Sequence, residues 1–165
     1  REPIGRNISA FFQNFERETG TAYQSSTLGV DQLIDTFIHR FHHYVPLTWF
    51  GGNIQRWLDI DVYEHSFPDT GIQMIEQGQT RLLLIRMRTP DVEKERAIRT
   101  LLGVDDFKIT RSNVSSQKLY ADTYAAFKDS FRAPEWLIRR MYESKYFKHF
   151  YSDDEKTRLT HKWTK

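Results

Sequence analysis

The chain has no cysteine among its 165 residues. That absence excludes a disulfide framework, a thiolate zinc centre and a cysteine nucleophile together. It favours a reducing compartment, so a cytoplasmic protein is expected. Long apolar runs are also lacking. The longest is Leu82-Leu83-Leu84-Ile85, whereas a spanning helix needs about 20 residues and a signal peptide an apolar stretch at its start. No transmembrane segment is expected. Charge of one sign is scarce too: Lys plus Arg number 24 against 22 Asp plus Glu, a net of +2 with neutral histidines. With no block of about five or six like charges, nucleic acid is not an expected partner, and a small anion held by a few cations suits the surface better.

What is abundant is aromatic. Twelve Phe, eight Tyr and four Trp make up 15% of the chain, enough to supply much of the core of one soluble domain over residues 1–165. From Pro3 onward Ile4, Ile8, Phe11, Phe12 and Phe15 recur at spacings of three and four, the stripe of a helix with proline in its first turn and an end near Thr19-Gly20. Leu33, Ile34, Phe37, Ile38 and Phe41 predict a second helix, stopped before Pro46. Leu82 to Arg86 reads as a short buried strand, followed by Thr89 as N-cap and Pro90 as first helical residue. That helix is expected to bury Ile98, Leu101 and Leu102 and to stop at Gly103. Val104 to Ile109 offers another strand. Helical spacing returns at 116–131 and again after Pro134, and Ser152-Asp153-Asp154-Glu155 has the spacing of a capping box. Helices around few, buried strands predict an α/β layer architecture with part of its sheet missing. The start at Arg1 reads as a cut inside a larger domain.

Arg1 and Ser9 stand near the start of the first predicted helix, where the dipole and free N–H groups favour an anion. A guanidinium offers a bidentate fork and a hydroxyl one directional bond; the plainer alternative is a frayed terminus and an ordinary polar helix position. His65, beside Asp61 and Glu64 in a predicted loop, is the candidate general base, with Glu64 equally eligible. Lys118 and Asn113 flank a predicted helix start and suit either a phosphate or a capping role. His39, His42 and His43 lack a third ligand at a clear spacing, so no metal site is predicted and a solvated or groove-lining face is preferred. Core packing is the simpler reading of Trp49-Phe50 and Tyr146-Phe147.

Arg-x-Pro-x-x-Arg-x-x-Ser, present as Arg1, Pro3, Arg6 and Ser9, resembles the 3′-phosphate-binding motif of sulfotransferases that use 3′-phosphoadenosine-5′-phosphosulfate. The rest of the chain is similar to one bacterial branch, the NKWYS family of capsular polysaccharide synthesis. The similarity runs through IDVYEHSF, LLLIR, LLGVDDF, the spaced Asn113, Lys118, Tyr120 and Tyr124, and MYESKYFKHFYSDDE. The resemblance implies a partial P-loop NTPase-like sulfotransferase fold, helix-rich with few parallel strands. It implies Arg1 and Ser9 on the 3′-phosphate, and sulfuryl transfer to a hydroxyl of a capsular or surface polysaccharide. The nucleotide sulfate donor and a glycan acceptor would be the partners. Two features depart from the sulfotransferase pattern. No Gly-rich phosphate loop occurs in these residues, so half of the donor site is expected upstream of Arg1. Met87-Arg88-Thr89-Pro90 also stands where many sulfotransferases carry an acid after the strand. The rival reading is a non-catalytic interaction domain on the same scaffold.

Overall fold

The computed structural model describes residues 1–110 and 118–165; Asn113 lies outside them. The described residues fall into two compact units. One takes Arg1 and the chain from Thr48 to Thr110, the other Glu2–Leu47 and the chain from Lys118 to Lys165.

The second unit is built from helices. α1 spans Pro3–Gln13 with Pro3 at its first position, where a missing N–H costs no hydrogen bond. The expected stripe is buried, with Ile4, Ile8, Phe11 and Phe12 each at most 1% exposed. The helix breaks at Asn14, whose side-chain amide donates to Ala10 O at 2.8 Å. A short α2 (Phe15–Thr19) then ends at Gly20 in the left-handed region, φ 76°. α3 (Val30–Arg40) buries Leu33 and Phe37 and packs on α7 (Ala121–Ser130). α8 (Glu135–Tyr142), α9 (Lys145–Phe150) and α10 (Asp153–Thr164) follow. α10 carries the expected capping box: Ser152 Oγ accepts from Glu155 N, and Glu155 Oε2 accepts from Ser152 N.

The core of this unit is a lattice of edge-to-face rings. Phe37 meets Phe11, Phe127 and Phe131 at 5.6, 5.6 and 5.3 Å, with interplanar angles of 77°, 89° and 83°. Such contacts add to area burial, each fully buried ring being worth about 1.5–3 kcal/mol in transfer alone.

The first unit contains a π-helical turn (Phe50–Gln55), α5 (Arg56–Leu58) and a 3-10 turn (Val62–Glu64). It also contains a hairpin and the helix α6 (Asp91–Leu102). α4 (Val45–Trp49) runs where the chain passes between the units. The buried strand was expected in a parallel sheet. A strand does form, β2 (Thr80–Ile85), but none of its residues is fully buried, and it pairs antiparallel with β1 (Ile72–Gln77), in register from Ile72↔Ile85 to Gln77↔Thr80. The Gly78-Gln79 connection dictates this, because two residues close a hairpin and cannot supply a crossover. Gly78 takes the required positive φ, 58°.

Four local expectations are also corrected. The N-cap of α6 is Pro90, and Thr89 instead donates through its hydroxyl to Gly71 O at 3.3 Å. α6 buries Glu95, not its leucines, and Leu102 is 57% exposed. Val104–Ile109 forms no strand; the segment is tied down when Ile109 N and Lys108 Nζ both donate to the Glu95 carboxylate, at 3.0 and 3.1 Å. Trp49, read as core, is 46% exposed.

Candidate functional site

The residues singled out in the sequence divide between the units: Arg1, Glu64 and His65 belong to the first, Ser9 and Lys118 to the second. Arg1 is exposed ahead of α1. The N–H groups at the start of that helix are not free, as the anion-site reading required. Glu2 Oε2 accepts from Ile4 N at 3.0 Å and Glu2 Oε1 from Gly5 N at 2.6 Å, while the Tyr142 hydroxyl donates to Oε2 at 3.2 Å. A buried carboxylate of the protein itself thus holds the positive end of the helix. Burial raises the Glu2 pKa, opposed by the Gly5 N–H, Lys162, the Tyr142 hydroxyl and the Ile4 N–H. Burial, followed by the Glu2 charge, pushes Tyr142 far above the usual phenol range.

Further along α1, half-buried Ser9 shares a hydrogen bond with the Tyr124 hydroxyl at 3.0 Å. Lys128 Nζ stands 4.8 Å from the centre of the Tyr124 ring. Arg6 donates through Nη1 to Asn7 Oδ1 at 3.1 Å. Asn7 Nδ2 donates to His43 O at 3.0 Å, so the helix face bearing the motif is knitted into its own unit.

Lys118 lines a cleft of about 340 Å³ together with Phe12, Phe15, Tyr23, Tyr120 and Arg17. Its walls are set by three elements. α1 and α2 supply the phenylalanines, the 3-10 turn Tyr23–Ser25 supplies Tyr23, and the residues entering α7 supply Lys118 and Tyr120. Tyr23 is fixed by a 2.8 Å hydrogen bond to Thr123 Oγ1. Ser9 does not line this cleft, so Ser9 and Lys118 do not share it.

Glu64 and His65 close the 3-10 turn whose N-cap is Asp61. Asp61, read as a partner for His65, accepts instead from Tyr63 N at 2.9 Å, while His65 N donates to Val62 O at 3.4 Å. Glu64 is exposed and His65 half-buried. Burial, then the Asp61 charge, raises the Tyr63 pKa. His39 and His43 do not meet. His39 is exposed beside Asp35 at 3.5 Å, and buried His43 turns Nε2 to Phe37 O at 2.8 Å. Burial lowers the His43 pKa, the Phe37 and Ile38 carbonyls raise it, and Arg140 and His42 lower it. Among the described residues no group of three or more His, Asp or Glu is placed to hold a metal ion. No described helix is long and apolar enough to cross a membrane.

Sequence reasoning missed Glu2 and the ring pair Tyr23–Tyr120. Glutamate is not a preferred N-cap type; the available signal was an acid immediately before a proline, with glycine three residues on. For Tyr23 the signal was a ring in the polar stretch between two apolar helices.

Compared with known proteins, residues 30–152 match the family model NKWYS, described as "Putative capsular polysaccharide synthesis protein". No curated protein and no solved structure matches the chain.

Proposed function

The chain belongs to the NKWYS family, and from that premise we propose that it acts in the cytoplasm as a sulfotransferase-like protein of capsular or surface polysaccharide synthesis. The donor would be 3′-phosphoadenosine-5′-phosphosulfate and the acceptor a glycan hydroxyl, on a P-loop-related α/β scaffold. The match over residues 30–152 carries the polysaccharide assignment; the Arg1, Pro3, Arg6, Ser9 pattern supports the sulfuryl step. In that step the acceptor oxygen forms a bond to sulfur as the bond from sulfur to the 5′-phosphate oxygen breaks. The hydroxyl proton passes to a base, His65 or Glu64, and adenosine 3′,5′-bisphosphate leaves with the electron pair.

One observation favours the second reading, a non-catalytic interaction domain. The Glu2 carboxylate already occupies the α1 N–H groups that a phosphate would use. Transfer of labelled sulfate from the donor to a capsular polysaccharide preparation separates the two. Turnover that falls roughly a hundredfold in His65→Ala or Glu64→Gln supports transfer and identifies the base. Retention of polysaccharide without turnover supports the interaction domain. Calorimetry adds an independent arm: if Arg1 holds the 3′-phosphate, adenosine 3′,5′-bisphosphate binds about tenfold to a hundredfold more tightly than the 5′-monophosphate, and Arg1→Ala removes the difference.

A further inference from the structure

We propose that the cleft lined by Phe12, Phe15, Tyr23, Tyr120, Lys118 and Arg17 is a saccharide subsite that takes a neutral or weakly charged sugar unit. The inference rests on the glycan-acceptor reading and says where the chain holds that partner. At about 340 Å³ the cleft sits near the lower end of small-molecule pockets, which run from roughly 300 to 1,000 Å³. A short stretch of sugar rings fits such a volume.

The ring geometry selects against a planar base. Phe15 and Tyr23 cross at 84°, Tyr23 and Tyr120 at 75°, and Phe12 and Tyr120 at 45°. None of these pairs offers the two parallel faces that clamp a nucleobase. Phe12 and Phe15 are buried behind the cleft, so the partly exposed rings of Tyr23 and Tyr120 are the ones that present edges and single faces; a pyranose packs its C–H surface on one aromatic face while its hydroxyls turn outward. Side-chain amides suited to those hydroxyls stand on the lining at Gln13 and Gln24.

The charge balance points the same way. The Arg17 guanidinium is bound to Glu18 Oε1 through Nε at 2.9 Å and Nη2 at 2.6 Å. Of the remaining charged lining residues, Glu16 and Lys118 have opposite signs. The lining itself, with Glu16, Arg17 and Lys118, sums to +1, and Glu18 beside it draws on the Arg17 charge; that is little positive charge for a nucleotide with charged groups at two positions. It suits a sugar with little or no charge.

The test follows the ring protons of Tyr23 and Tyr120 by NMR while the chain is titrated with chitotetraose, maltotetraose or adenosine 3′,5′-bisphosphate. A saccharide is expected to shift both rings. Tyr120→Leu, which keeps apolar packing against Phe12, should weaken that binding roughly tenfold, the scale of one aromatic contact. Gln24→Ala, an exposed change, gives a second readout if Tyr120→Leu loses its fold, and should also weaken saccharide binding. Trp57→Ala, at a 75% exposed ring in the other unit, should leave it unchanged. Ring shifts caused by the nucleotide and not by either saccharide would overturn the proposal, as would no response to any probe. Saccharide binding at these rings without sulfate transfer keeps the subsite and removes the transfer reading. Sulfate transfer unimpaired by Tyr120→Leu and Gln24→Ala removes the subsite and keeps the transfer reading.

Discussion

The Glu2 carboxylate occupies the space that any side chain at Gly5 would need: a Cβ built there collides with Glu2 Oε1, with Trp163 next behind it. Gly5 lets the carboxylate lie against its own N–H at 2.6 Å and so cap α1. Glycine inside a helix ordinarily costs about 1 kcal/mol relative to alanine. Gly5→Ala is therefore expected to reverse the usual sign, destabilising the protein by about 1–2 kcal/mol through loss of the cap. In a Glu2→Ala background the same change should stabilise by about 1 kcal/mol, because the collision is gone. Urea unfolding of the four proteins in this cycle measures the coupling. Equal effects of Gly5→Ala in both backgrounds would show that the carboxylate does not depend on the glycine.

Burial gives Glu2 and His43 opposite pH signatures. The Glu2 pKa is raised in the folded state, so its contribution is fully present below the unfolded value of about 4.5 and is lost as pH rises through the folded value. The His43 pKa is lowered, so its contribution is present above the unfolded value of about 6.5 and is lost as pH falls through the folded one. Between those limits the two slopes oppose each other in the wild type, and single variants separate them. With rising pH the stability of Glu2→Gln should improve relative to wild type. With falling pH His43→Gln should gain on wild type. Denaturant midpoints at several pH values check both, and a constant wild-type-to-variant difference would remove the assigned shift.

The elements that were legible in the sequence are those whose signals are local. The stripe from Ile4 to Phe12, the α3 stripe and the Ser152 box each lie within a few turns of one helix, and each forms where expected. β1 was not legible, because its exposure is set by pairing with β2 and by packing, leaving Ile75 as its one fully buried residue. α9 is six residues long, too short for a periodic stripe to stand out. The expectation of parallel strands came with the sulfotransferase resemblance, and that of a buried strand from an apolar run that a hairpin half-buries equally well. At the candidate site Ser9 and Lys118 were found by residue type and position. Tyr124, the partner of Ser9, and Tyr23, which shares the cleft with Lys118, lie far along the chain from them and emerge only from tertiary packing.

Phe12 joins α1 to α7. Its ring stands 5.2 Å from Tyr124 and 5.3 Å from Phe127, both edge to face, and it is 1% exposed. Phe12→Ala should cost about 3–5 kcal/mol, since a cavity bounded by rigid rings collapses little. The same change removes one wall of the cleft, so it should also weaken saccharide binding in the folded fraction. A urea midpoint shift equivalent to less than about 1 kcal/mol would contradict this core assignment.

The last helix ties its own ends into the unit, and this makes its cap a stability determinant. Leu159 and Trp163 are each 2% exposed, and Ala133 N donates to Trp163 O at 2.7 Å. Fraying from the N-terminal end is opposed by the reciprocal Ser152–Glu155 bonds and by Asp153 and Asp154 in the first turn. Ser152→Ala should cost about 0.5–2 kcal/mol, while Ser152→Asp, which keeps an acceptor at the cap, should cost much less. Hydrogen exchange provides the specific readout. The amides of α10 should lose protection in Ser152→Ala while those of α3 keep theirs relative to global unfolding. Uniform loss across both helices would instead place α10 in the same cooperative unit as the aromatic core, with its cap acting on the whole unit.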